Sequence, residues 1–336
     1  MKRLLSWWML VVALAGCGAI SSPTSTPAPA RATNTQFILG RESDLWRFAL
    51  ESKQWTRLTE VAPAAAAAQP AVSPDGQSIV YAYRPPLDVP SPEQPFVIPV
   101  NELHLLPAAG GESRPLYAPT ERYDSVDQPA WSSDGTTVYA TYHTLRFDAE
   151  GVFTQSGDDI VAINSADGAL RPLITKGTFP APSPDGTLLA FVRSVTDVQA
   201  QLIVHDLASG SETVVLQDEN LVAMEAPVWS ADSKTIFVAA SPIQVGGGRP
   251  ALWGWLMAES AQAHGLGWQV WSVDVASKQG REINPQLFED PRIVVDSTSL
   301  IVWTFSGLWQ IDLGNPAQPP ALLAEPGDVG GISRIP

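Results

Sequence analysis

An all-β fold, a six-bladed β-propeller of four-stranded antiparallel blades, is the class this sequence predicts, and three observations predict it. A short pattern recurs in which an Asp follows a Pro by five residues: Pro70 to Asp75, Pro129 to Asp134, Pro180 to Asp185, Pro227 to Asp232 and, more loosely, Pro291 to Asp296. Repeats of this length mark arrays of similar units. Each copy leads into an apolar, β-prone run such as Ser78-Ile79-Val80-Tyr81-Ala82-Tyr83 or Leu188-Leu189-Ala190-Phe191-Val192. A second hairpin with a polar turn follows each run, as in Leu202 to Asp206 and Glu212 to Leu216. The third observation is an imbalance: six such hairpins stand against five Asp turns.

The Asp turn reads as the joint between an innermost strand A and its neighbour B, and the polar-turn hairpin as strands C and D. Asp-Gly between two β runs favours a tight hairpin, because Gly accepts positive φ and the Asp carboxylate caps its own turn. These Asp residues are therefore read as structural. The first unit, beginning at Gln36, has strands B, C and D but no A. The run Gly330-Gly331-Ile332-Ser333-Arg334-Ile335 supplies a candidate for the missing strand. A ring closed this way, by the C-terminal strand in the first blade, leaves no open edge. Helical periodicity is confined to two short alanine-rich or mixed stretches, 64–68 and 256–263, each long enough only for a turn.

The N-terminal segment reads as an address. Lys2 and Arg3 precede an apolar stretch from Leu4 to Leu14, too short to span a bilayer and suited to a signal peptide. Leu14-Ala15-Gly16-Cys17 resembles the lipobox of bacterial lipoproteins, which implies cleavage after residue 16 and lipidation of Cys17. Cys17 is the single cysteine, so no intrachain disulfide forms. Several acyl chains on one residue anchor stably where a single chain would not. Residues 17–35 are rich in Ser, Thr, Pro and Ala and have no apolar periodicity, so they read as a tether, with a glycosylated stalk as the alternative. The expected organisation is a signal peptide at 1–16, the tether at 17–35 and the propeller at 36–336, placed outside the cytoplasm on a membrane.

Composition agrees with this and excludes some functions. Of the 336 residues 45% are hydrophobic, enough for a core, while 30 Pro and 25 Gly oppose long helices. The formal net charge is −15. Nucleic acid is therefore not an expected partner, since phosphate binding needs a basic surface.

The Asp-turn copies, the aliphatic strand after each and the polar-turn hairpin resemble the TolB-type (WD40-like) β-propeller family, whose mark is Pro-x-Trp-Ser-Pro-Asp-Gly. Trp131-Ser132 and Trp229-Ser230 carry the Trp-Ser pair; the copies at Asp232 and Asp296 have Ser where the family prefers Gly. The resemblance spans roughly 36–336. Members serve as binding modules, envelope proteins, covers on serine peptidases and some polysaccharide-acting enzymes, so the resemblance implies a fold and leaves the activity open.

No catalytic motif stands out. There is no Gly-x-Ser-x-Gly and no Cys-pair or His-x-x-x-His metal spacing. His104 and His205 fall in mid-strand, His143 at a strand end and His264 in a loop. The expectation is a non-enzymatic, monomeric binding module for a protein, a basic peptide or a small ligand. A polysaccharide lyase or hydrolase and a purely structural scaffold are the alternatives.

Topology points to a face. Connections B–C and D–A must emerge on one side of the ring, and three B–C connections read as long loops: 84–100, 143–158 and 241–268. Loops of that length are commonly functional. The third carries Trp253 and Trp255, read either as part of a self-packing lid or as an exposed aromatic contact patch. Counting back two residues from the strand-A Pro gives Asp127, Glu225 and Glu289, and aligning Gly330 with that Pro adds Asp328. These four would ring the mouth of the central channel, with Glu121, Asp124, Asp218, Glu219 and Asp290 nearby. Clustered carboxylates require a cation, a Lys or Arg side chain or proton uptake. The ring is therefore a candidate site for Ca²⁺ or a basic segment, or else a solvated acidic rim.

Overall fold

The computed structural model describes residues 35–87, 97–196, 199–242, 267–288, 290–296, 298–325 and 330–336. Residues 34–336 form a compact unit. Its strands make six four-stranded antiparallel sheets, and no helix occurs among the described residues.

Blade 1 contains β1 (Gln36–Arg41), β2 (Asp44–Ala49) and β3 (Gln54–Arg57). Blade 2 contains β4 (Ala66–Val72), β5 (Ser78–Arg84), β6 (Glu102–Pro107) and β7 (Arg114–Tyr117). Blade 3 is β8 (Ser125–Trp131), β9 (Thr137–Phe147), β10 (Phe153–Asn164) and β11 (Leu170–Ile174). Blade 4 is β12 (Thr178–Pro182), β13 (Leu188–Thr196), β14 (Gln199–Asp206) and β15 (Glu212–Leu216). Blade 5 is β16 (Leu221–Trp229), β17 (Thr235–Pro242), β18 (Trp268–Asp274) and β19 (Gln279–Phe288). Blade 6 is β20 (Arg292–Asp296), β21 (Ser299–Thr304), β22 (Gly307–Asp312) and β23 (Ala321–Ala324), and β24 (Ile332–Arg334) completes blade 1 in the order β24-β1-β2-β3.

Strand B of each blade is buried on both faces because successive side chains point to opposite neighbours. Val80 packs toward blade 3, while Ile79 and Tyr81 pack toward blade 1. Leu189 and Phe191 face blade 3, Ala190 and Val192 face blade 5. Leu300 and Val302 face blade 5, Ile301 and Trp303 face blade 1. The buried apolar side chains form six clusters, and each cluster straddles one seam between adjacent blades. This explains why the strand-B runs are continuously apolar rather than alternating.

The Asp turns share one construction. The Ser hydroxyl two residues before each Asp donates to its Oδ1 at 2.5–2.7 Å in the turns of Ser73, Ser132, Ser183 and Ser230. The same hydroxyl accepts the first strand-B amide, from Ser78, Thr137, Leu188 and Thr235, at 2.9–3.0 Å. The Asp also accepts the amide two residues ahead. The Ser bond first and that amide second hold the carboxyls of Asp75, Asp134, Asp185 and Asp232 below their usual range. The fifth turn differs because Val294 stands where the Ser would be. Asp296 instead pairs with Arg334 of the closing strand at 2.9 Å.

Tryptophans tie blades together. Trp131 Nε1 donates to the Ala71 carbonyl of blade 2 at 3.0 Å, and Trp229 Nε1 to the Ala181 carbonyl of blade 4 at 2.8 Å. Trp303 Nε1 reaches the Gly40 carbonyl of blade 1 at 3.4 Å. Closure follows from β24 pairing with β1 in the register Phe37–Arg334, Ile38–Ser333 and Leu39–Ile332. Gly330 donates its amide to the Gly40 carbonyl at 3.1 Å and the Gly40 amide bonds the Gly331 carbonyl at 3.0 Å. A Cβ on Gly40 would lie 2.5 Å from the Gly330 carbonyl oxygen, so the two backbones meet only because both positions lack side chains.

Two expectations are corrected. The 143–158 connection is not a loop: β9 and β10 stay paired from Thr137–Asn164 outward to Phe147–Phe153, forming a hairpin that outgrows the blade, and His143 lies within it. Its turn closes through the Asp148 carboxylate, which accepts the amides of Glu150 and Val152. No helical turn forms at 64–68, since Ala64 has φ +65° and β4 begins at Ala66. The 256–263 stretch and most of the 84–100 and 241–268 connections lie outside the described residues.

Ending the chain after Glu325 removes β24 and uncovers the β1 edge. We expect aggregation, or a fall in Tm of about 10 °C or more, read by thermal melts with light scattering. The substitution Trp229→Phe deletes the indole donor and part of the buried ring, and is expected to cost about 1–3 kcal/mol through the lost bond to the Ala181 carbonyl and the lost packing, measured by denaturant unfolding.

Candidate functional site

The six A strands contact one another in a closed ring, β24-β4-β8-β12-β16-β20, which lines the centre of the propeller. In blades 2 to 5 each A strand carries a bulge at the residue before the Pro and the Pro itself. Register steps from Ala68–Ala82 to Ala71–Val80, from Asp127–Thr141 to Ala130–Tyr139, and likewise at Thr178–Ala181 and Glu225–Val228. A Pro inside a ladder is tolerated at such a bulge. The preceding residue is left-handed in every copy: Gln69, Gln128, Phe179, Ala226 and Asp290 have φ between 47° and 56°.

The bulges also join the blades. Gln69 gives its amide to the Gly330 carbonyl, and its Oε1 accepts the Gln128 amide at 2.7 Å. Gln128 Oε1 in turn accepts the Phe179 amide at 2.9 Å and the Thr141 hydroxyl at 2.7 Å. Blades 1 to 4 are thus linked by a relay of bulge amides. Neither Gln was singled out from the sequence; the repeated Gln-Pro at 69–70 and 128–129 was the available signal.

The predicted carboxylates lie one residue before these bulges. Asp127 is nearly buried on β8. His143 Nε2 lies 2.8 Å from its Oδ1, Asn101 Nδ2 donates to Oδ2 at 3.4 Å, and His143 Nδ1 lies 2.8 Å from Asp158 Oδ1. An imidazole between two carboxylates donates from both nitrogens only when protonated. Burial opposes that charge, but Asp127 and then Asp158 outweigh it, and the His143 pKa is raised to about 10. Beside it, buried Asp124 accepts the Tyr142 hydroxyl at 2.8 Å and pairs with Arg146. Phe147 packs edge-on to Tyr123 at 4.9 Å and lies 6.0 Å from Phe153.

Glu225, on β16, belongs to a different set across the seam between blades 5 and 6. Arg292 Nη1 stands 3.0 Å from Glu225 Oε1 and 2.8 Å from Asp290 Oδ1. The approach to Oε1 lacks hydrogen-bond alignment and is a charge contact. Burial raises the Glu225 pKa to about 7, with the Arg292 charge opposing and the Asp290 charge adding to the shift. One guanidinium for two carboxylates leaves an unmatched negative charge, which proton uptake relieves.

Asp127 and Glu225 therefore sit at equivalent strand positions, each neutralised by its own basic side chain and not by the other's. Glu289, Asp328, Trp253, Trp255 and Cys17 lie outside the described residues. Among the described residues no group of three or more His, Cys, Asp or Glu is arranged to hold a metal ion.

No family model matches the chain, and no curated protein matches it in sequence. Solved structures share its fold. TolB from Acinetobacter baumannii is 14% identical with a TM-score of 0.55, over 90% of this chain and 66% of that one. An oligogalacturonate lyase in complex with manganese is 13% identical with a TM-score of 0.52, over 84% and 70%. Kuenenia stuttgartiensis hydrazine synthase is 10% identical with a TM-score of 0.58, over 90% and 46%. The chain thus spans just under two thirds of TolB's length and less than half of the synthase. At identities this low the likeness shows the propeller fold alone, which a TolB protein and two enzymes by name share here.

The His143 shift has a sign. The folded pKa lies above the ordinary value near 6.5, so its stabilisation is complete below about pH 6.5 and is lost as pH rises through about 10. The stability advantage of the wild type over His143→Gln, measured by denaturant unfolding, is expected to shrink across that window. Glu225 is raised likewise, so wild type should lose stability relative to Glu225→Gln from about pH 4.5 through about 7.

Proposed function

We propose that the protein is a lipid-anchored, extracytoplasmic binding module that engages a protein partner through the face bearing its B–C and D–A connections. One observation carries the reading. Of the six large apolar side chains most exposed among the described residues, Leu87, Val152, Val195 and Leu287 all lie at the B–C or D–A ends of their blades. Val152, 59% exposed, tips the hairpin that outgrows blade 3. Exposed apolar groups gathered on one side of a strongly acidic protein favour contact with another macromolecule.

Electrostatics select the partner. The chain's charge of −15 favours a basic segment. β1 is a B strand and begins at the end where the Asp turns lie, on the side opposite the proposed binding face.

The anchor is tested by Cys17→Ser, which should release the protein from membranes or hold it as an uncleaved precursor. Recovery of a processed variant with the membranes would refute the anchor. The face is tested by titrating a lysine-rich peptide against the purified chain. Binding should weaken as salt rises and should be reduced several-fold by Val152→Lys with Leu287→Lys, which remove the apolar contacts and repel the peptide. Binding that ignores both salt and these substitutions would refute the assignment.

A further inference from the structure

A second constellation lies in the groove between blades 1 and 2, and it does not depend on the reading above. A cavity of about 330 Å³ is bounded on one side by 58–62, the connection leaving blade 1, and on the other by Tyr81, Tyr83, His104, Gly111 and Ser113 of blade 2. The first wall is fixed by buried Asp44, whose Oδ1 accepts the Thr59 hydroxyl at 2.7 Å and the Val61 amide at 3.0 Å. Opposite it, His104 projects from β6. Its Nδ1 lies 3.3 Å from Ser113 Oγ and its Nε2 lies 3.0 Å from Glu102 Oε2. Tyr81 Oη is 2.7 Å from the same Ser113 Oγ, and the Tyr83 ring lies 4.4 Å from the imidazole.

The local fold explains the meeting. Glu102 and His104 are alternate residues of β6, so their side chains share one face of the blade. The chain then turns through Gly110 and Gly111, at φ +92° and +132°, and comes back at Ser113 just before β7. A register shift between Leu103 and His104 in the β6–β7 pairing sets how far it returns.

We propose that this groove is an acyl-transfer site for a small carboxylic ester, with Ser113 as nucleophile and His104 as its general base. Glu102 is the positioning residue. A carboxylate at Nε2 fixes the tautomer with the proton on Nε2 and leaves the Nδ1 lone pair facing Ser113. As Ser113 Oγ bonds the ester carbonyl carbon, its proton moves to His104 Nδ1. The carbonyl–alkoxy bond then breaks, and the departing alcohol takes that proton from Nδ1. Water next attacks the acyl-serine, giving a proton to Nδ1. The acyl–Oγ bond breaks, the carboxylic acid leaves and Oγ recovers the proton from Nδ1. No oxidant, metal or second substrate besides water is needed. Tyr81 supplies a hydroxyl beside the reacting atom that donates to the charge developing there. Burial raises its phenol, so it remains a donor across the working range. The cavity volume matches a short-chain or aryl ester, and the partly exposed Tyr83 ring offers an apolar contact for the acyl or aryl group.

The test uses the purified full chain with a fluorophosphonate probe and with p-nitrophenyl acetate. The probe should add one phosphonyl group to the protein, mapped by peptide mass spectrometry to Ser113. Ester hydrolysis should fall by about 10²- to 10⁴-fold in Ser113→Ala and in His104→Gln. Glu102→Gln should lower kcat while leaving KM unchanged, and should shift the pH dependence of kcat, which loss of mere structural support would not do. Adduct mapping on the wild-type chain keeps the test independent of how any variant folds. An unlabelled Ser113, or hydrolysis equal in wild type and a folded Ser113→Ala, would overturn the assignment. Failure here would leave the binding-face reading standing, because Val152 and Leu287, by which that reading is tested, are not altered.

Discussion

Each blade buries its two faces only against its neighbours, and this constraint governs the rest of the structure. The six apolar clusters are seams, not blade interiors: residues of one strand B divide between two of them. A sheet four strands wide with two apolar faces has no stable existence alone. The last seam, between blades 6 and 1, must therefore form for the first to be satisfied. Phe37, Leu39 and Phe48 on one side meet Ile301, Trp303 and Leu308 on the other, with Ile332 of β24 in the same cluster. Arg334–Asp296 and Trp303–Gly40 add polar contacts at that seam.

Closure also shapes the inner strands. Bulges at the Pro of the A strands in blades 2 to 5 displace one residue from the ladder, and in blades 2 to 4 the freed amides find acceptors in the adjacent blade. The residue just before each bulge is then held within the inner strand. Where it is acidic, as at Asp127 and Glu225, low solvent access demands a counter-charge, which His143 and Arg292 provide. The two pairings differ in balance. His143 sits between two carboxylates and takes up a proton, whereas Arg292 leaves Glu225 to share charge with Asp290. The same architecture thus gives one end of the ring two acidic sets with different responses to pH.

Much of this was legible in the sequence because it is carried by local patterns. The Asp turns, the strand-B runs and the missing first A strand are all matters of spacing and alternation, and the β24–β1 pairing follows from their count. What was not legible depends on register across strands. Nothing near Asp127 in sequence announces His143; they meet because Ser125 aligns with His143 and Asp127 with Thr141 on the neighbouring strand. The 143–158 stretch reads as a loop because Arg146, Asp148, Glu150, Gly151 and Gly157 interrupt its apolar pattern. Cross-strand pairing and the Tyr123–Phe147–Phe153 contacts nevertheless keep it extended. The meeting of Glu102, His104 and Ser113 is likewise invisible until the shift in the β6–β7 ladder is known. The carboxylate positions themselves were found by counting from the Pro, but not the bulge that gives them their common setting.

If the ring is held by mutual burial of seams, its blades must open together. Native-state hydrogen exchange on the amides of β1, β13 and β21 measures this most directly. The account predicts one opening free energy for the central strands of all six blades, equal to that of global unfolding. Rapid exchange of β1 and β24, with β13 still protected, would contradict it by showing that five blades persist without closure.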